Sequence, residues 1–265
     1  MTYISTLKMP GGRYGLRQVV RSELTKIASL RSTFWTLLVT AVGTIAVTIL
    51  TTSNVHHGGG PGMYQGFDAT NSALTGLALA TLALGVFGIL AATGEYGSGT
   101  IRASLTATPR RPLFLVGKVL VVGSIALAVG EVLTFASFWI GQAVLSAGGM
   151  PSATLGQPGV LRAVAFSGAF LALLGLLALG LGVIIRHTAG AMAAYVGITF
   201  LIPLLIQRLP GNPSRYTPVG ILANSVSAVV RQPGQVPAAW GLALMALYTT
   251  VVLGLAAVLI ARRDA

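Results

Sequence analysis

The sequence predicts an all-α, polytopic integral membrane protein with six transmembrane helices, and three observations carry that prediction. Apolar residues make up 54% of the 265-residue chain and charged ones 8%, which leaves too little polar surface to cover a water-soluble globule. The apolar residues gather in six runs, 33–52, 72–93, 119–145, 163–185, 188–206 and 238–261, each at least 19 residues long. At about 1.5 Å rise per residue, each crosses a hydrocarbon core of about 30 Å. Glycine is abundant, with 34 residues, as suits helices whose backbones approach closely in lipid. The whole of 1–265 reads as one transmembrane domain.

Residues 1–32 form a basic cytoplasmic elbow region. Within it Leu16, Val19, Val20, Leu24, Ile27 and Ala28 recur at helical spacing while Arg17, Arg21 and Lys26 take other faces. That pattern predicts an amphipathic interfacial helix with its cations toward anionic lipid headgroups. A basic flank that only sets topology is the plainer alternative. No small-residue cleavage pattern closes the first apolar run, so the N-terminus is expected to stay attached.

The 17 Lys and Arg against 5 Asp and Glu fix the orientation. With the N-terminus inside, 13 of the basic residues fall in inner segments and 4, Arg162, Arg208, Arg215 and Arg231, fall outside. The expected topology is therefore N-in and C-in, in the inner (plasma) membrane. Basic groups at the ends of apolar spans are what insertion selects, so the charge does not point to nucleic acid.

Between the fourth and fifth runs only Arg186 and His187 intervene, which predicts a tight helical hairpin. Over 207–237 prolines punctuate the chain, yet 219–230 is apolar enough for a short helix dipping back into the outer leaflet. A broken, re-entrant outer hairpin before the last span follows, because irregular backbone at that depth survives only where protein shields it.

The polar stretch 94–118 interrupts the apolar pattern. Its full charges are Glu95, Arg102, Arg110, Arg111 and Lys118, and it is expected to lie in water or against another protein. Thr100 starts a short turn of helix, Pro109 ends it and Pro112 helps start the next. The expected result is a cytoplasmic knob with Glu95, Arg102, Arg110 and Arg111 at its surface. A plain basic loop is the alternative.

Catalytic and cofactor chemistry finds little purchase. With no cysteine there is no disulfide and no thiolate metal site. No phosphate-binding loop of the Gly-x-x-x-x-Gly-Lys-Ser/Thr kind occurs, so the chain has no evident means of holding nucleotide. His56 and His57 are adjacent, which prevents easy convergence on one ion with Asp68. His187 falls on the opposite side of the bilayer, so no triad forms. Glu131 is the one acid expected in mid-membrane, either as a proton-coupling carboxylate or, more plainly, as a carboxyl bonded to Ser, Thr or Gln of neighbouring helices.

The motif Glu95-Tyr96-Gly97-Ser98-Gly99-Thr100-Ile101-Arg102, followed by Pro109-Arg110-Arg111 and Lys118, resembles the segment after the second span in permease subunits of the ABC-2 class of ATP-binding-cassette exporters. The basic N-terminal helix, six spans and broken outer hairpin resemble that class as well. The resemblance implies that Glu95, Thr100, Arg102, Pro109, Arg110 and Arg111 belong to a region contacting a separate nucleotide-binding ATPase subunit. Arg17, Arg21 and Lys26 would lie on the elbow helix beside it. It further implies an ABC transporter permease with no enzymatic activity of its own, ATP and Mg being bound by the partner. A second copy, as a homodimer or with a close relative, would complete the path among membrane lipids. A membrane-embedded enzyme, or a scaffold that binds a partner without transport, is the alternative.

Overall fold

The computed structural model describes residues 15–29, 31–55, 67–97, 99–100, 111–211, 213–228 and 236–262. Helices α1 (Leu16–Ser29), α2 (Arg31–Asn54), α3 (Ala69–Ala73), α4 (Leu77–Gly97), α5 (Arg111–Ala147), α6 (Val160–Ile185), α7 (Thr188–Val196), α8 (Ile202–Ile206), α9 (Pro218–Ser225) and α10 (Ala238–Arg262) follow one another. A π turn at Gly197–Leu201 joins α7 to α8, and a 3-10 turn at Pro213–Tyr216 precedes α9. Among the described residues, six helical stretches are long and apolar enough to cross a membrane: Phe34–Asn54, Leu77–Gly97, Pro112–Ala147, Val160–Ile185, Thr188–Ile206 and Ala238–Arg262. The protein is all-helical and membrane-embedded.

Helix α6 is the central post. Its Phe170, Leu171, Leu174, Ala178 and Leu179 are fully buried. Helices α4 and α5 flank one side, α10 another, and α2 lies against the outer faces of α4 and α5. Lipid tails are as apolar as leucine, so what holds such helices together is close packing rather than expulsion of water. Glycines of α6 at seven-residue spacing, Gly168, Gly175 and Gly182, give that closeness along one face. A Cβ on Gly168 would sit 2.5 Å from Cδ of Glu131 on α5, and one on Gly182 would sit 2.8 Å from Cβ of Ala92 on α4. Between them, the Gly175 carbonyl lies where a side chain at Gly88 of α4 would have to go.

Three elements depart from the apolar runs, each for a local reason. The second run is broken after α3, where Gly76 lies against the Thr44 carbonyl and Thr48 hydroxyl of α2. The fifth is helical throughout but loosens into the π turn: Pro203 has no N–H to return to Thr199, and the Ile202 N–H bonds the Gly197 carbonyl instead. Helix α5 begins at Arg111, eight residues before the third run starts at Val119. Pro112 is tolerated there because first-turn N–H groups have no intrahelical acceptor in any case.

The expected hairpin between α6 and α7 is tight, with Arg186 in left-handed conformation (φ 60°) and the His187 side chain accepting from Gly190 N–H. It is tied to α4 by a 2.8 Å hydrogen bond from Thr188 to the Thr93 hydroxyl and by Arg186 over the Tyr96 ring. The short helix expected over 219–230 is α9, started by Thr217 as cap and Pro218 in the first turn. It runs beside α10: Ile221 occupies the space over Gly241, and the Tyr248 hydroxyl donates to the Tyr216 carbonyl at 3.1 Å.

At this end of the bundle Asp68 caps α3 through Thr70 and Asn71 N–H, and its second oxygen accepts from Ala228 N–H at 2.8 Å. That use of Asp68 is structural. His56 and His57 lie outside the described residues.

Candidate functional site

At the opposite end, where α1, α4 and α5 meet, four charged side chains form one cluster, Glu23, Glu95 and Lys118 buried and Lys26 at its rim with 38% of its side chain exposed. Helix α1 turns Val19, Glu23 and Ile27 inward at four-residue spacing, with Lys26 beside them. Val19 fills the space that a side chain at Gly117 of α5 would take, so α1 seats directly on the α5 backbone.

Lys118 of α5 sits at the centre and is 4% exposed. Its ammonium donates to Glu23 Oε2 at 2.7 Å, to Glu95 Oε1 at 3.0 Å and to the Ala91 carbonyl at 3.0 Å. Those three acceptors match the three protons of an ammonium. Lys26 donates to Glu23 Oε1 at 2.6 Å and to Glu95 Oε1 at 2.9 Å. Two carboxylates and two ammonium groups therefore neutralise one another. The Phe114 ring lies 5.6 Å from the Lys26 nitrogen and 5.2 Å from that of Lys118, adding a cation–π contact on each.

Burial pushes the Glu23 carboxyl up, but the Lys118 and Lys26 ammonium groups outweigh it and hold it below its ordinary value. For Lys26, burial acts downward while its bonds to Glu23 and Glu95 prevail and raise it. Both shifts favour the charged forms, as hydrogen-bonded ion pairs should.

This geometry corrects three expectations. Glu95 is not at the surface of a knob: it is 9% exposed and joins three helices. Nor does the stretch 94–118 lie wholly in water or on another protein, since Glu95 and Lys118 meet each other and α1. Lys26 likewise turns inward rather than standing with the outward cations, while Arg17 and Arg21 are exposed. Leu16 and Leu24 of the same helix are not covered by protein.

Of the other residues singled out from sequence, Thr100 is exposed just beyond α4, and Arg111 opens α5. Arg102, Pro109 and Arg110 lie outside the described residues. Glu131 stands apart on α5, its carboxyl over Gly168 of α6, and no Ser, Thr or Gln side chain among the described residues bonds it. Glu23 was missed as a site residue. The available signal was its place four residues from both Val19 and Ile27, in a chain with so few acids.

No cluster of metal-ligating side chains occurs among the described residues. What the four-charge cluster does among the described residues is hold three helices in one geometry. Comparison with known proteins finds no protein-family model and no curated protein that matches the chain.

Proposed function

We propose that the chain is the transmembrane permease subunit of an ATP-driven exporter, set in the plasma membrane with both ends inside and driven by a separate ATPase. One observation supports this reading most: the cluster of Glu23, Lys26, Glu95 and Lys118 ties α1 to both roots of the polar segment 98–110. Glu95 lies just before that segment, at the end of α4, and Lys118 two turns into the helix that follows it.

A motor protein can reach spans buried in lipid only through a rigid element at the membrane face. Docking on Thr100, Arg102, Pro109, Arg110 and Arg111 would move α4, α5 and α1 together, because their charged side chains share acceptors and donors. Arginines in the segment supply charge-assisted bonds to carboxylates on the motor. Coupling follows if those bonds differ between the motor's ATP-bound and ATP-free states, for a ligand moves an equilibrium only by its differential affinity. The role of Glu95 in this scheme is positioning rather than docking. A second copy of the chain would complete the path, and the ATPase would hold ATP and Mg.

The test is purification of the full chain from native membranes, identification of any stoichiometric ATPase, and reconstitution of the pair in vesicles. ATP hydrolysis that depends on this chain supports the reading. An intact chain that carries no ATPase, with Arg110 and Arg111 labelled from outside the cell, overturns it.

A further inference from the structure

We propose that Glu131, Phe135 and Trp139 of α5 form a membrane-depth binding site for a lipophilic organic cation. Glu131 lies near the middle of the span Pro112–Ala147, at the crossing of α5 and α6. Gly168 leaves room for its carboxyl: a Cβ there would lie 2.5 Å from Cδ and 2.7 and 2.8 Å from the two oxygens. The carboxyl thus lies against the α6 backbone. No cation and no hydrogen-bond donor among the described residues meets it.

Phe135 and Trp139 follow at four-residue spacing, so the three side chains share one face over about two turns, or about 12 Å. The two rings lie 5.9 Å apart at 51° to each other, and Trp139 is 59% exposed. Around them the face is open and apolar, with Leu127, Ala128 and Val132 exposed.

The chemistry selects its ligand. A carboxylate in hydrocarbon is costly until a counter-charge reaches it, and two aromatic faces beside it attract the same sign of charge. A hydrated metal ion finds a single carboxylate, too few oxygens for a hard cation. An anion is repelled. What fits is one positive charge on an apolar body, which partitions into the bilayer and reaches the site laterally. Glu131 would neutralise the charge, and the Phe135 and Trp139 rings would cover the apolar part. That such a cation is also the cargo rests on the permease reading; that it binds does not.

The experiment uses the full chain in nanodiscs of zwitterionic lipid, with tetraphenylphosphonium as probe and tetraphenylborate as the matched anion. Saturable phosphonium binding near one per chain is expected, with quenching of tryptophan fluorescence that Trp139→Phe diminishes. Glu131→Gln should weaken binding roughly tenfold or more, the equivalent of losing one charge contact. Phe135→Leu should weaken it by a smaller factor, and tetraphenylborate should show no component sensitive to Glu131. Equal phosphonium affinity in wild type and Glu131→Gln overturns the proposal. Should Glu131→Gln fail to fold, unchanged affinity in both Phe135→Leu and Trp139→Phe overturns it instead. Phosphonium binding by a chain that yields no ATPase on purification from native membranes would defeat the permease reading alone, and a stoichiometric ATPase with no phosphonium binding would defeat this site alone.

Discussion

Lys118 on α5 and Glu23 on α1, 95 residues apart in the chain, meet at 2.7 Å with both side chains almost wholly removed from solvent. A pair so placed is informative because its loss leaves a charge stranded. Removing one partner of a buried ion pair costs about 3–5 kcal/mol, whereas replacing the set with apolar groups of similar volume is often neutral. Lys118→Met alone should therefore lower the melting temperature sharply. Lys118→Met with Glu23→Gln and Glu95→Gln should recover most of the loss in a thermal-unfolding assay of the detergent-solubilised protein.

The same cluster sets a pH window. Glu23 titrates below its ordinary value in the folded protein, so its contribution is present above the unfolded carboxyl pKa, about 4.3, and is lost as pH falls through the lower folded value. Lys26 titrates above its ordinary value, so its contribution is complete below the unfolded pKa of about 10.4 and is lost as pH rises through the higher folded one. The contribution of these two groups to stability should be flat between these limits. Glu23→Gln should remove the acid limb due to this carboxyl, and persistence of that limb in the variant would assign it elsewhere.

Gly117 tests the seating of α1 separately from its charges. Its Cβ would lie 2.5 Å from Cγ1 of Val19, so Gly117→Val forces the two helices apart at a cost of about 1–3 kcal/mol. Hydrogen exchange should then rise across α1 while α6 stays protected. Gly94→Ala, where the added Cβ would meet nothing within 4 Å, is the control and should leave exchange unchanged.

Charge reversal in the segment 98–110 tests the permease reading. Arg102→Glu or Arg110→Glu should insert normally yet lose coupled ATP hydrolysis and transport with the partner ATPase. Wild-type hydrolysis and partner binding in both variants would remove the docking role.

Span existence was legible because apolar runs of membrane length leave few alternatives. The start of α5 was legible in part: Pro112 reads as a helix starter and α5 opens beside it at Arg111, but the apolar run counts only from Val119, because Lys118 looks like loop when counted as a charge. Lys118 lies within a helix because Glu23, from a remote part of the sequence, supplies its acceptor. The face of α1 was misread for a related reason. The helical pattern put Lys26 with the cations that face lipid headgroups, whereas the partner surface on α4 and α5 offered Glu95 and Lys118, and so drew Glu23 and Lys26 toward it. A helix's buried face is set by what it meets, and a charged partner is invisible to a hydropathy pattern. Glu131 was legible as an isolated mid-span acid, but its seat on Gly168 depends on how α5 crosses α6.

The neutrality of the Glu23, Lys26, Glu95 and Lys118 set bears on how α1 is held. Exposed cations such as Arg17 and Arg21 act on a membrane surface over about one Debye length, roughly 8 Å in physiological salt, and concentrated salt shortens that reach to about 3 Å. Buried bonds with no net charge feel little of this. A high-salt wash that releases helices held by surface charge alone should leave α1 where it is, which makes it an integral strut of the bundle rather than an adsorbed arm.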